Sequence, residues 1–293
     1  MKRRPRILVV FKKSAYQVYA LEKREKKVRS LIRRHAASME KLTQAHQAHN
    51  EALDAVANAA EAAGAEVRLV YRAHLRKTTN VDLVVTVGGD GTLLDASHRV
   101  DGVPLLGVNS NPASSVGFLT GATKDTFPLV LDQVLRGRLE PLTLLRLDVL
   151  LNERSLGTPV LNDVLICHSN PAATSRYALR NGHRSEEQKS SGIWVATPAG
   201  STAAILSAGG QQDELTAQRF QYRVREPYAP PGVKLDLVHG FVTPPAELVV
   251  ESYMRQGAVF LDGSHIRYAM GMGDEVIVKA HESPLHLYRP ARA

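Results

Sequence analysis

The sequence predicts an N-terminal parallel-sheet α/β domain followed by a β-rich, sandwich-like domain, with an active site in the cleft between them. Three observations carry this prediction. Apolar runs of strand length alternate with helical stretches over roughly the first half of the chain. Beyond it, short strand-like runs follow one another with turn signals between them and little helix. The third early run, Val84-Val-Thr-Val-Gly-Gly-Asp-Gly-Thr-Leu-Leu-Asp95, stops abruptly in glycines, an acid and a threonine. An unbroken apolar strand suits a parallel sheet covered on both faces, and ligands in such sheets sit beyond the carboxyl ends of the strands.

In the first half, residues 6–11 read as a strand. A long polar, alanine-rich helical stretch covers about 17–64, broken near His49–Asn50, and Gly64 stops it. Glu66–Tyr71 and Asp82–Val87 are the next strands, Leu93–Val100 a helix and Pro104–Val108 a fourth strand. This alternation implies a parallel sheet with helices on its faces. A further helix lies around Asp125–Arg136. The strand-like runs then are Leu144–Leu151, Val160–Cys167, Arg176–Arg180, Ile193–Ala196, Gln221–Arg225, Lys234–His239, Glu247–Met254 and Ala258–Leu261. One helix is expected at about Ser201–Gly209. Asn181-Gly182, Pro230-Pro-Gly232 and Asp262-Gly263 mark turns, and Asn-Gly between strands suits a tight hairpin. The expected domains are 1–140 and 141–274, with a tail, 275–293, packing back on the first.

The composition is that of an ordinary globular protein: 44% apolar and 23% charged residues over 293 positions. Cys167 is the only cysteine, which excludes an internal disulfide and a cysteine-based zinc site. No apolar stretch is long enough to span a bilayer, and the basic N-terminal lead is followed by too short an apolar run for a signal peptide. A cytoplasmic protein without membrane contact is expected. The net charge is +8, with much of the excess between Lys23 and Arg34. Aromatics are only 5% of the chain, so this run reads as a solvated helix face and no nucleic-acid partner is expected. A positive protein also attracts phosphate-rich substrates.

The glycine turn has a direct chemical reading. Gly88, Gly89 and Gly91 let a phosphate approach the main chain, and Thr92 caps the helix whose N–H groups favour an anion. Asp90 would repel that anion, so it reads as a base or a metal ligand. In the second half, Lys189-Ser-Ser-Gly-Ile-Trp-Val-Ala-Thr-Pro-Ala-Gly-Ser-Thr-Ala-Ala204 carries a strand into a Pro/Gly turn and small hydroxyl residues. Such residues let a flat ligand lie on the backbone and offer hydrogen bonds to ribose or phosphate.

Together these elements resemble the NAD kinase family. The resemblance rests on Gly88-Gly-Asp-Gly-Thr92 and Thr197-Pro-Ala-Gly-Ser-Thr202, with Asn162-Asp163 between them in place of an Asn-Glu pair. Gly107-Val-Asn-Ser-Asn-Pro112 and Gly117-Phe-Leu-Thr120 also match, and the order holds from about residue 6 to Gly263. The segment Gln188–Gly192 and the Asn-Ser-Asn-Pro loop are closer to the mitochondrial-type branch. The departures are Ser191 for an aspartate, Ala204 for a tyrosine and Asp163 for a glutamate.

The resemblance implies transfer of the terminal phosphate of ATP, or of polyphosphate, to the adenosine ribose 2′-hydroxyl of NAD, giving NADP, or of NADH, giving NADPH. It casts Asp90 as the base and Gly88, Gly89, Gly91 and Thr92 as phosphate ligands. The NAD-binding set it implies is Asp90, Gly91, Asn162, Asp163, Lys189, Ser191, Thr202, Ala203, Ala204 and Ser207. Magnesium accompanies the donor, no protein ligand to it is nominated, and a homodimer is expected. Two alternatives stay open: a lipid or sphingoid kinase sharing the glycine turn, and a non-catalytic NAD-binding regulator.

Overall fold

A computed structural model describes residues 3–34 and 37–290. Residues 35–36 of the expected helical stretch and 291–293 of the tail lie outside the described residues. The chain divides into two compact units, Met1–Leu142 with His286–Ala293, and Thr143–Leu285.

The strands of the first unit are β1 (Arg6–Phe11), β2 (Glu66–Tyr71), β3 (Leu83–Gly88), β4 (Leu105–Asn109) and β5 (Ala122–Thr123), and β6 (Leu142–Leu144) begins at its last residue. Its helices are α1 (Lys26–Arg33), α2 (Ala37–Ala62), α3 (Asp90–Ser97) and α4 (Phe127–Leu135). Strands β1 to β4 pair in parallel in the order β2-β1-β3-β4, and β5 adds to β4. All six residues of β3 are buried, as the apolar run requires. On one face Ile7, Val9, Val85, Val87 and Val108 pack against Ala52, Val56 and Ala60 of α2 and Phe127 and Leu131 of α4. Helix α3 lies against β1, β3 and β4, with Leu93 and Ala96 buried.

The helical stretch departs from expectation. It breaks around Arg24, which adopts φ +51°, after a π-helical turn at Tyr16–Glu22, whereas α2 runs unbroken through His49–Asn50. His49 is buried on the face that continues as Ala52, Val56 and Ala60, so its polarity does not mark a turn. In α1, Val28, Leu31 and Ile32 are half-buried while Lys26, Lys27 and Arg29 are exposed, the solvated basic face the charge pattern predicts.

The second unit holds β7 (Leu147–Leu151), β8 (Arg154–Ser155), β9 (Asp163–His168), β10 (Ser175–Asn181), β11 (Arg184–Ser190) and β12 (Ile193–Ala196). After the short α5 (Ala204–Ser207) come β13 (Phe220–Val224), β14 (His239–Val242), β15 (Leu248–Ser252), β16 (Gly257–Leu261), β17 (Ile266–Met270) and β18 (Glu275–Ala280). They form two six-stranded antiparallel sheets, β11-β10-β15-β18-β7-β8 and β14-β13-β12-β9-β16-β17. One core joins them: Val149, Leu179, Val250 and Val278 from the first meet Ile166, Val195, Tyr222 and Val259 from the second. This is the sandwich architecture the alternating strands predict.

Three expectations in this unit need correction. The run Leu144–Leu151 splits because Arg146 is buried and donates Nε–H to the Ser283 carbonyl at 2.9 Å. Lys234–His239 is not a strand; pairing starts at His239, where Gly240 sits on the Tyr222 ring in space a Cβ would occupy. The helix expected over Ser201–Gly209 shrinks to α5, because Ser201 Oγ donates to the Pro198 carbonyl and accepts from Asp213 N–H. The Asn181-Gly182 hairpin forms as expected between β10 and β11, with Gly182 at φ +59°. Finally β19 (Leu285–Tyr288) pairs parallel with β4 and lies between β4 and β6 in the sheet of the first unit.

Candidate active site

The parallel sheet of the first unit ends in the glycine turn. Helix α3 begins at Asp90 with Gly89 as its N-cap, three residues earlier than expected. Thr92 therefore lies inside the first turn and does not cap it. Thr92 is 1% exposed, and its hydroxyl has no hydrogen-bond partner among the described residues. A Cβ on Gly88 would stand 2.2 Å from that hydroxyl, so Gly88 serves close packing of strand on helix. Gly91 is different: it is exposed, and the space around a Cβ there is open. The open side of the turn is therefore the Gly91 side.

Asp90 is held from the next strand-to-helix connection. Its Oδ2 accepts the Phe118 N–H and its Oδ1 the Leu119 N–H, both at 2.8 Å. The loop that delivers these groups is fixed by Asn109, which is buried at the end of β4. Asn109 donates to the Ser115 carbonyl at 2.8 Å and accepts the Asn111 N–H at 3.1 Å. Gly117, at φ +58°, approaches Asn109 so closely that a Cβ would lie 2.6 Å from Nδ2. Each Asp90 oxygen thus has one backbone donor, and a carboxylate oxygen can accept two hydrogen bonds. Capacity for a ligand hydroxyl remains.

In the second unit the two polar motifs are stitched together. Asp163 opens β9 opposite Ala196, the last residue of β12. Thr197 N–H donates to the Asn162 carbonyl at 3.1 Å, and Thr197 Oγ1 donates to the Leu161 carbonyl. Gly200 rests on the same peptide, and a Cβ there would be 2.0 Å from the Asn162 carbonyl oxygen. Asn162 Nδ2 donates to Asp163 Oδ2 at 3.1 Å. Thr202 and Ala203 follow half-buried, and Ala204 and Ser207 are exposed on α5. Lys189 and Ser191 lie apart from this cluster. Ser191 precedes the opposite end of β12, about 16 Å away at the usual rise per residue. It lines a separate cavity of about 240 Å³ with Cys167 and Arg225. Lys189 is exposed on β11 and borders another with Tyr228 and Tyr253.

The residue that sequence reasoning misses is Asp262. Its carboxylate accepts three backbone N–H groups, from Leu161, Asn162 and Asp163, at 2.7–3.1 Å. The Asp-Gly pair was readable only as a turn, and Asp262 does adopt φ +48° there. Burial, and then the charge of Asp262, push the Asp163 carboxyl up to about 7. Asp163 is 5% exposed, so this shift is a stability statement. Below about pH 4 the group is protonated in folded and unfolded chains alike and costs nothing. Between there and 7 only the unfolded chain releases the proton, so stability falls as pH rises, by on the order of 4 kcal/mol once above 7. Asp163→Asn should remove this dependence, and urea unfolding at pH 5 and pH 8 checks it. The variant gains on the native protein more at pH 8 than at pH 5; an equal gain at both would assign the effect to packing.

An acid is thus fixed at a glycine turn that opens a helix in the first unit, and a polar cluster sits at the strand ends of the β-sandwich in the second. Comparison with known proteins gives the family. The ATP-NAD kinase N-terminal domain family matches residues 2–139. A probable NADH kinase of Oryza sativa subsp. japonica is 40% identical over 233 residues, 72% of each chain. The NADH kinase of Arabidopsis thaliana is 36% identical over 71% of this chain and 73% of its own. An NAD kinase from Archaeoglobus fulgidus, solved in complex with ATP, shares the fold at a TM-score of 0.66. It is 22% identical over 97% of this chain and 93% of its own. The chain belongs to the NAD kinase family, whose reaction is the phosphorylation of NAD to NADP. The lipid-kinase and regulator alternatives find no support in these relationships.

Proposed function

We propose that the protein transfers the terminal phosphate of ATP to the 2′-hydroxyl of the adenosine ribose of NAD, with Asp90 as the base. The single observation that supports this most is the Asp90 carboxylate, held by the Phe118 and Leu119 N–H groups with accepting capacity to spare. The ribose oxygen forms its bond to the terminal phosphorus, the bond to the bridging oxygen breaks, and ADP leaves. Asp90 takes the hydroxyl proton. Backbone N–H groups on the Gly91 side of the turn hold donor phosphates in line for the transfer. Asn162 and Asp163 offer hydrogen bonds to ribose hydroxyls, and Thr202, Ala203, Ala204 and Ser207 form the wall for the base.

Magnesium would neutralise the donor phosphates. Such an ion keeps several of its waters and is held mainly by the phosphate oxygens. NADH is the second reading of the acceptor, favoured by the names of the plant relatives. The nicotinamide ring is remote from the reacting ribose, so both acceptors meet the same base. Polyphosphate as donor, a homodimeric assembly and a cytoplasmic location complete the reading.

The test is NADP or NADPH formation by the purified protein with NAD or NADH, Mg²⁺, and either ATP or polyphosphate. ATP-dependent product is the expected result. Dinucleotide binding without product from either donor would move the protein to a binding role.

A further inference from the structure

Basic groups gather where β1 and β2 end, and one of them is unpaired. Phe11 pairs with Val87 in the parallel register, so Lys12 stands level with Gly88 on the adjacent strand. Neighbouring strands lie about 4.8 Å apart, which puts the glycine turn well within the reach of a lysine side chain. Lys13 pairs with Glu22 at 2.8 Å and Arg72 with Asp95 of α3 at 2.7 Å. Among the described residues Lys12 has neither a carboxylate nor a hydrogen-bond acceptor for its ammonium.

The main chain of Lys12 is also tied to the turn. His49, 2% exposed on α2, bonds the Lys12 carbonyl through Nε2 at 2.7 Å and Ser110 Oγ through Nδ1 at 3.0 Å. A carbonyl only accepts, so Nε2 carries the hydrogen. Burial pushes the pKa of His49 down, the ring is neutral, and Nδ1 accepts from the serine hydroxyl. Ser110 N–H in turn donates to the Gly88 carbonyl at 2.9 Å. Lys12 is thereby fixed to the glycine turn through a buried imidazole and one serine. Burial, and then the charge of Arg72, push the Lys12 amine below its ordinary range. A bound anion relieves both effects.

We propose that Lys12 is a ligand of the donor phosphates, its ammonium taking a non-bridging oxygen of the triphosphate chain beside the Gly91 face of the turn. The proposal rests on the kinase reading above and adds to it a cation outside the glycine turn. Lysine serves this purpose as a point charge, without the geometric demand of a guanidinium. His49 is then a positioning residue that acts through the Lys12 main chain.

The experiment measures binding of inorganic tripolyphosphate and of ATP by calorimetry without dinucleotide, and NAD binding separately. It compares the native protein with Lys12→Met and Lys12→Arg. Loss of a charged hydrogen bond should weaken tripolyphosphate and ATP roughly 10-fold or more in Lys12→Met. NAD binding should stay within about twofold, and Lys12→Arg should recover most of the loss. In turnover the KM for ATP rises and that for NAD does not. Tripolyphosphate affinity in Lys12→Met within about twofold of native would overturn the proposal, as would no measurable binding of either anion to the native protein. Discrimination by Lys12 in a native protein that forms no NADP would uphold the phosphate ligand and sink the kinase reading.

Discussion

Asp90→Asn should lower kcat by roughly 100-fold or more while leaving NAD binding nearly unchanged, the scale expected for loss of a general base. The structure sets a condition on how this is measured. Both Asp90 oxygens accept backbone N–H groups, so the amide of the variant must turn its NH₂ toward Phe118 or Leu119. One buried N–H then loses its partner, at about 1–3 kcal/mol, and the loop anchored by Asn109 loosens. The unfolding midpoint should fall with the rate. Assays well below that midpoint separate the two roles, because anchoring alone predicts activity restored at low temperature. A fall in kcat of under tenfold there would reassign Asp90 from base to anchor.

Gly200→Ala should be the most damaging glycine substitution in the second unit. Its Cβ would lie 2.0 Å from the Asn162 carbonyl oxygen and 2.6 Å from the carbon. Both are main-chain atoms at the start of β9, so no rotamer change relieves the overlap. We expect a loss of at least about 3 kcal/mol in stability, with NAD affinity falling in step, since the displaced peptide carries Asn162 and Asp163. Gly91→Ala is the contrasting case: nothing lies within 4 Å of its Cβ. Its stability should change by under about 1 kcal/mol, and its effect should be on ATP. Urea unfolding and NAD titration of the two variants check the contrast. A native midpoint for Gly200→Ala would mean that the Thr197–Ser201 turn yields freely.

The legible parts of the fold are those where burial dictates residue type. Strand β1 was readable to the residue from Ile7–Val10, because a strand covered on both faces has to be apolar throughout. Strand β11, Arg184-Ser-Glu-Glu-Gln-Lys-Ser190, was not: it lies at a sheet edge with most side chains in solvent, so pairing leaves no apolar trace. His49 misled for the opposite reason, a polar residue whose bonds are all satisfied inside the protein. Of the candidate residues, Asp90, Asn162 and Asp163 stand out in the sequence by their motifs. What holds them does not. The Phe118 and Leu119 N–H groups and the Asp262 carboxylate act through main-chain hydrogen bonds across 28–29 and 99–101 residues, and a linear pattern carries no sign of these.

Strand β19 bears on how the protein is made. Leu287 and Tyr288 pair with Leu105 and Leu106, and the Tyr288 carbonyl packs so closely on Gly121 that a Cβ there would sit 2.6 Å away. On a ribosome, a nascent chain that has released β1 to β5 still presents the Leu105–Leu106 part of the β4 flank unpaired by β19, beside the strand that bears the glycine turn. Only when residue 288 has left the exit tunnel can that flank be zipped shut. The sheet begun by the first strands synthesised is therefore closed only by a strand about 180 residues later, and through that interval its edge is open to pairing with other chains.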